Sequence, residues 1–248
     1  MIGTTTSLRA PRAAQRGRLA GLVAISLAVA LCLVFARAAQ AATLVPAPSV
    51  DAVPHDDRSQ TAVIAGGCFW GIQAVFQHVK GVTRVLAGYS GGTKDTAAYE
   101  TVSTGRTGHA ESVQIMFDPH QVSYGRILQI YFSVAHDPTE LNRQGPDVGT
   151  QYRSAIFYAN DDQKRVAQSY LSQLRNAGVY PRPIVTKLDP LDAFYPAEAY
   201  HQDYAVRHPT NPYIAIYDLP KVDDLKRLFP DLYREPPVTV MAATNPHP

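Results

Sequence analysis

Cysteine is nearly absent from this chain: its 248 residues contain two, Cys32 and Cys68. That scarcity excludes a disulfide-stapled scaffold, and it excludes a zinc site built on two Cys-x-x-Cys pairs. Tryptophan occurs once, as Trp70. Acidic residues are missing from the first 41 positions, which hold five arginines: Arg9, Arg12, Arg16, Arg18 and Arg37. Without them the formal net charge falls from +2 to −3. The remaining chain therefore lacks the basic excess that a nucleic-acid partner requires. The 16 glycines and 19 prolines form no repeat and fit a globular chain rather than collagen or a low-complexity tract.

The arginine-rich start leads into an uncharged apolar run from Leu19 to Ala36, then into Ala39-Gln40-Ala41, a small-x-small cleavage signature. Residues 1–41 read as a signal peptide for export, and a periplasmic location is expected. The run also reaches the ~18 residues at which a membrane-spanning helix becomes possible, so an uncleaved anchor is the alternative. Either way the arginine flank stays inside and the domain faces the far side. Leu31 is larger than the small residue that precedes a lipidated cysteine, so Cys32 belongs to the leader. Only Cys68 remains in the mature protein, as a thiol with no partner in its own chain.

Residues 42–59, rich in Pro, Asp and Ser, read as a linker, 60–234 as one domain and 235–248 as a loose tail. Thr61 to Ala65 predicts a buried strand stopped by Gly66-Gly67. Apolar positions 69, 72, 76 and 79 predict a helix ending at Gly81. Val82 to Ala87 predicts a strand running into the turn Tyr89-Ser90-Gly91-Gly92. Val113, Ile115 and Phe117 alternate on a strand from Ser112 to Phe117. Ser123 caps a helix to about Ala135, Ser154 to Tyr158 is a strand, and Asn160 or Asp161 caps a helix ending at Gly178. A strand over 183–188 and a helix over 196–207 complete the pattern. Strands and helices mix without strict alternation, which predicts an α+β fold: a two-layer sandwich with a mixed or antiparallel sheet and helices packed on it.

Gly66-Gly67-Cys68-Phe69-Trp70-Gly71 sits at the first strand-to-helix junction. A cysteine in the first turn of a helix meets free amide donors and the positive end of the dipole, and both favour the nucleophilic thiolate. One of the adjacent rings, Phe69 or Trp70, packs in the core while the other walls a pocket. A second cluster, Tyr99 followed by Gly105-Arg106-Thr107-Gly108-His109-Ala110-Glu111, places Glu111 at a strand start. Buried there, its carboxyl would hold a proton at neutral pH and could donate it. His109-x-Glu111 also fits a zinc deaminase pattern, but the Cys-x-x-Cys that site requires is missing. The polar stretch His136 to Ser154 exceeds what a connector needs and suits binding. Tyr200-His201-Gln202-Asp203-Tyr204 closes the series, with His201 read as structural.

Gly-Cys-Phe-Trp-Gly, Thr-Gly-His-Ala-Glu, the spaced set Asn142-Arg143-Gln144, Asp147, Gly149 and Gln151-Tyr152-Arg153-Ser154, and Tyr-His-Gln-x-Tyr occur in that order. In this the chain resembles the peptide methionine sulfoxide reductase A family, from about residue 60 to 217. The resemblance implies a fold related to the ferredoxin-like sandwich. It also implies reduction of the S epimer of methionine sulfoxide, free or in oxidised proteins, with no bound cofactor and no metal. It makes Cys68 the nucleophile and Glu111 the acid that protonates the sulfoxide oxygen. It makes Tyr99 and Tyr152 the hydroxyl donors to that oxygen, Asp147 a supporting carboxylate, and Phe69 and Trp70 the cage for the substrate methyl.

Two features depart from the family pattern. Pro146 stands where Asn is common, which puts the presentation of Asp147 in question, and no cysteine follows Cys68. The sulfenic acid left on Cys68 is therefore expected to be resolved by an external thiol: a thioredoxin-like protein, a glutaredoxin or a small thiol. A monomer is expected. The competing readings are a Cys-His hydrolase or acyltransferase with His109 or His201 as base, and a module that binds oxidised peptides without turnover.

Overall fold

The computed structural model describes residues 42–52 and 59–241, together with Gly3. The predicted signal peptide and its cleavage site lie outside the described residues. Strand β1 (Gln60–Ala65) is followed by helix α1 (Phe69–Gln77), β2 (Val82–Ser90), the short helix α2 (Tyr99–Val102) and β3 (Ala110–Phe117). Helix α3 (Tyr124–Ile130) widens into a π-turn over Tyr131–Ala135. Then come the two-residue strands β4 (Arg143–Gln144) and β5 (Asp147–Val148), β6 (Ala155–Tyr158) and helix α4 (Asp161–Ala177). Strands β7 (Lys187–Pro190) and β8 (Phe194–Pro196) and helices α5 (Tyr204–Arg207) and α6 (Leu219–Leu228) end the series.

Six strands form one sheet in the order β7-β6-β1-β3-β2-β8, antiparallel except for the parallel β6–β7 pair. Its inner four, β6-β1-β3-β2, stand as fourth, first, third and second along the β1–α1–β2–β3–α3–β6 path. That is the ferredoxin-like order within a mixed sheet of an α+β fold. The hydrophobic spacing that predicted α1 buries Phe69, Ile72 and Phe76 at 1% exposure or less, against core residues that include Ile64, Val85, Val113 and Ile115. Burial of four or five large side chains on one helix face contributes on the order of 10 kcal/mol, before the entropy of ordering them is set against it.

Helix ends follow the expected chemistry. The side chain of Ser123 accepts a hydrogen bond from the Arg126 amide and that of Asn160 one from the Gln163 amide. Gly178 ends α4 in the left-handed conformation.

Four readings change. The strand expected at 183–188 forms at 187–190, because its parallel pairing begins at Ala155↔Lys187. The helix expected over 196–207 is broken into β8, a single 3₁₀ turn (Ala199–His201) and α5, with Asp203 at a positive φ of 56° between them. Strand β2 continues through Tyr89 and Ser90, so the turn begins at Gly91. Residues 42–52, expected as linker, are tied down: Val45 is buried, its amide donates to Ser133 and its carbonyl accepts from Gln129. Asp51 accepts from the Gly125 amide at the start of α3. The segment from Glu235, expected to be loose, is likewise docked as far as Met241, with the Val238 amide donating to the Gln77 carbonyl.

Candidate active site

Cys68 caps α1 directly after the Gly66-Gly67 turn. Gly67 has φ +101°, and a Cβ there would lie 2.5 Å from the Gln144 side chain; one on Gly66 would lie 2.8 Å from the His136 ring. The turn is thus held between two buttresses. Gln144 is pinned by two bonds with the Asp137 backbone. His136 donates from Nδ1 to the Tyr131 carbonyl and accepts at Nε2 from the Ser154 hydroxyl, and burial lowers its pKa to about 3, so it stays neutral. Gly67→Ala is expected to shift Cys68 and cost about 10²-fold in kcat/KM, with a Tm loss of only several degrees, measured by steady-state assay and calorimetry.

Glu111 lies on the same face of β3 as Val113, Ile115 and Phe117, because the side-chain period is two. That face lies under α1, and Glu111 is only 2% exposed. Its Oε2 accepts a 3.1 Å bond from the Phe69 amide, the residue after Cys68. Burial, aided by the charges of Asp147 and Asp218, pushes its pKa up to about 8, against the opposing pull of the Phe69 amide. The carboxyl is therefore largely protonated at neutral pH.

For Cys68 burial dominates as well, and Glu111, Asp218 and Asp147 reinforce it, while only the Trp70 amide favours the thiolate. The helix end is outweighed, and the resting sulfur is a thiol rather than the thiolate predicted from position alone. The hydroxyls of Tyr99 and Tyr152 are also pushed up, by burial first and then by the charges of Glu111 and Cys68, among others. The Tyr99 amide donates to Glu198, which also accepts from the Tyr89 hydroxyl.

Asp147 opens β5 in a hairpin whose two-residue loop is Gly145-Pro146. Gly145 takes φ +56° at the first loop position, and Pro146 fits the second, where φ is near its fixed value. Pro146 is thus accommodated by the turn, and Asp147 Oδ2 accepts a short hydrogen bond from the Tyr213 hydroxyl.

Phe69 is the core ring and Trp70 the half-buried one. Trp70 Nε1 donates to His201 Nδ1 at 3.2 Å. Its indole stacks on Tyr204, with centroids 3.9 Å apart, and meets the Tyr213 ring edge-on. His201 also packs against Phe69 and Tyr99. It thus orients aromatic side chains, as its structural reading implied. His109 Nε2 donates to the Thr93 carbonyl. One nitrogen of each ring is engaged elsewhere, and the other (His109 Nδ1, His201 Nε2) is buried without a partner. Among the described residues neither ring hydrogen-bonds Cys68, so the hydrolase reading has no Cys-His pair to support it.

Three residues of the site, Tyr213, Asp218 and Lys221, were not found from the sequence. Tyr213 completes the Trp70–Asp147 contacts. Asp218 is fully buried, is ion-paired with Lys221 at 3.2 Å, and its charge helps to raise the pKa of both Cys68 and Glu111. It packs where a Gly71 side chain would project, with its Cγ 2.7 Å from that Cβ position. Asp218-x-x-Lys221 at i,i+3 was the one local signal available. Gly71→Ala should gain roughly 1 kcal/mol of helix propensity, yet its methyl displaces the Asp218–Lys221 pair. The expected net effect is a fall in Tm and in kcat/KM together, checked by calorimetry and steady-state kinetics. Among the described residues no cluster of His, Cys, Asp and Glu is arranged to hold a metal ion.

The family model described as peptide methionine sulfoxide reductase matches residues 60–231. The peptide methionine sulfoxide reductase MsrA 2 of Mesorhizobium japonicum is 64% identical over 187 residues, covering 75% of this chain and 96% of that protein. Its namesake from Synechocystis is 51% identical over 191 residues, covering 76% and 89%. Among solved structures, Mxr1 of Saccharomyces cerevisiae in reduced form aligns with TM-score 0.56 at 29% identity, over 68% of this chain and 94% of that one. Methionine sulfoxide reductase A of Corynebacterium diphtheriae aligns with TM-score 0.53 at 30% identity, over 68% and 92%. With the four motifs gathered around one buried thiol and one buried carboxyl, the chain belongs to the peptide methionine sulfoxide reductase family.

Proposed function

We propose that this enzyme reduces the S epimer of methionine sulfoxide, free or in exported proteins, to methionine at the expense of thiols. The observation that carries the mechanism is the carboxyl of Glu111, buried beside Cys68, anchored through one oxygen to the Phe69 amide and holding its proton at neutral pH. A sulfoxide offers an electrophilic sulfur and a strongly accepting oxygen that must leave, so its reduction requires a sulfur nucleophile and an aimed proton. Cys68 attacks the sulfoxide sulfur while Glu111 protonates the oxygen, with the Tyr99 and Tyr152 hydroxyls holding it. The S–O bond breaks, the oxygen passes to Cys68 as a sulfenic acid, and methionine is released. Phe69 and Trp70 enclose the methyl group, and Asp147, held by Tyr213, supports the site.

As no cysteine follows Cys68, an external thiol attacks the sulfenic acid, releasing water and leaving a mixed disulfide. A second thiol equivalent frees Cys68. A thioredoxin-like protein, a glutaredoxin or a small thiol fits this step, and the enzyme works as a monomer. The acid-free arginine-rich start followed by an apolar run supports export to the periplasm. Among the described residues no helix is long and apolar enough to cross a membrane.

Methionine release from methionine sulfoxide with dithiothreitol tests the reaction, since a binding module gives complex and no product. Intact mass after one turnover without reductant should show one added oxygen on Cys68. A disulfide within the chain would overturn the external-thiol step.

A further inference from the structure

The helix expected over 196–207 is interrupted at Asp203, and its side chain is the reason. Asp203 is 2% exposed and holds a left-handed backbone, φ +56°. Its carboxylate is met by three N–H donors. Gln77 Nε2 and the Val240 amide donate to Oδ1 at 2.6 and 3.1 Å, and the Met241 amide donates to Oδ2 at 3.1 Å. Two of the three come from the C-terminal segment, which is itself fastened to the end of α1 by the bonds from the Arg234 amide to the His78 carbonyl and from the Val238 amide to the Gln77 carbonyl.

On the other side, the Asp203 amide donates to Gln73 Oε1, and Gln73 Nε2 donates to Gln202 Oε1. Gln202 in turn clasps the Ala87 backbone with both ends of its amide. The tetrad His201-Gln202-Asp203-Tyr204 is thus clamped between α1 with β2 and the C-terminal segment. The two ends of that tetrad are the groups on Trp70: His201 accepts its indole N–H and Tyr204 stacks on its face.

We propose that residues 238–241 are a positioning strap: through the buried carboxylate of Asp203 they hold His201 and Tyr204 against Trp70, and so set the geometry of the substrate's methyl pocket. The inference rests on Trp70 being a wall of that pocket. Asp203 and the strap touch neither substrate nor sulfur; they act through Trp70. An orphaned buried carboxylate is costly, so loss of the strap's amides releases Asp203 from its strained conformation and frees both contacts on the indole.

Trp70 is the only tryptophan in the chain, so intrinsic fluorescence reads the pocket directly and independently of turnover. Three full-length variants and one truncation serve. Asp203→Asn keeps a residue that tolerates the left-handed backbone but turns one acceptor into a donor facing donors. Met241→Pro deletes a single exposed-end N–H and leaves the core untouched. Asp203→Ala removes both acceptors, and a chain ending at Pro237 removes the strap.

The expected result is a red-shifted, more quencher-accessible Trp70 in every folded variant, least in Met241→Pro. KM for methionine sulfoxide should rise about tenfold in Asp203→Asn, with kcat within about twofold of wild type. Unchanged emission and KM in Asp203→Asn and Met241→Pro overturn the proposal, as does a loss of kcat with KM unchanged. Should the truncated chain fail to fold, Met241→Pro still decides. A wild-type protein without reductase activity would refute the catalytic reading while leaving the fluorescence test of the strap intact.

Discussion

Cys68→Ser is expected to lower methionine sulfoxide reduction by at least about 10⁴-fold, because a serine hydroxyl neither ionises in this site nor accepts the oxygen that sulfur takes. The fold should tolerate the change. Cys68 makes no disulfide and buries only a small side chain, so the loss of Tm should be modest. The diagnostic pairing is therefore wild-type-like unfolding with no methionine released and no added oxygen after one turnover. Retained activity would move the chemistry to another group, and the described residues offer no second thiol.

The resting thiol shapes what the enzyme must do before it reacts. Desolvation keeps Cys68 protonated, so the nucleophile is made only as substrate arrives. In the proposed mechanism the proton held by Glu111 passes to the strongly accepting sulfoxide oxygen as the bond to sulfur forms, and the thiol's own proton then returns to the carboxylate that this leaves, which restores the acid for the next turnover. Three carboxylates around one sulfur, Glu111, Asp147 and Asp218, would oppose this if all were ionised. The pKa of Glu111 near 8 removes one of the charges at neutral pH, and Lys221 offsets that of Asp218.

How much of this was legible beforehand follows the range of the interactions. The Gly-Gly-Cys turn and α1 are local: glycines set the turn, and hydrophobic spacing sets the buried face. The burial of Glu111 follows from parity alone, two residues before Val113 on a strand of period two. Tyr213 had no such signal, and Asp218 had only its i,i+3 spacing to Lys221. Tyr213 acts by meeting Asp147, 66 residues away, and Asp218 by filling the space left at Gly71. The helix expected over 196–207 failed because three buried polar side chains, His201, Gln202 and Asp203, bind distant backbone and side chains more favourably than a helix would allow. Proline-rich composition similarly suggested a loose start and tail. The side chains of Gln129, Gln173 and Tyr170 satisfy the carbonyls of Val45, Ala47 and Pro46, and so fasten residues 45–47 in place. Polar docking of this kind leaves no hydrophobic period to read.

Glu111→Gln is expected to slow reduction by roughly 10²–10⁴-fold, the range for loss of a positioned general acid. The amide keeps the size of the carboxyl, and its oxygen can still accept from the Phe69 amide, so the turn at Cys68 should hold. What is lost is the transferable proton. The pH profile separates this from a packing effect. In the proposed mechanism the reactive form is the protonated carboxyl, so wild-type kcat/KM should fall as pH rises through about 8; in Glu111→Gln that descending limb should vanish. Stability carries the same sign. The folded carboxyl keeps its proton between its ordinary value of 4.5 and about 8, a window in which the unfolded chain has already released it. Wild-type stability therefore falls as pH rises across that window, and the Gln variant, with nothing to titrate there, should lose that slope. A variant that kept the full rate, or kept the descending limb, would assign the proton to Tyr99 or Tyr152 instead. Both hydroxyls are held protonated by burial, and the proposed mechanism makes them the donors to the sulfoxide oxygen.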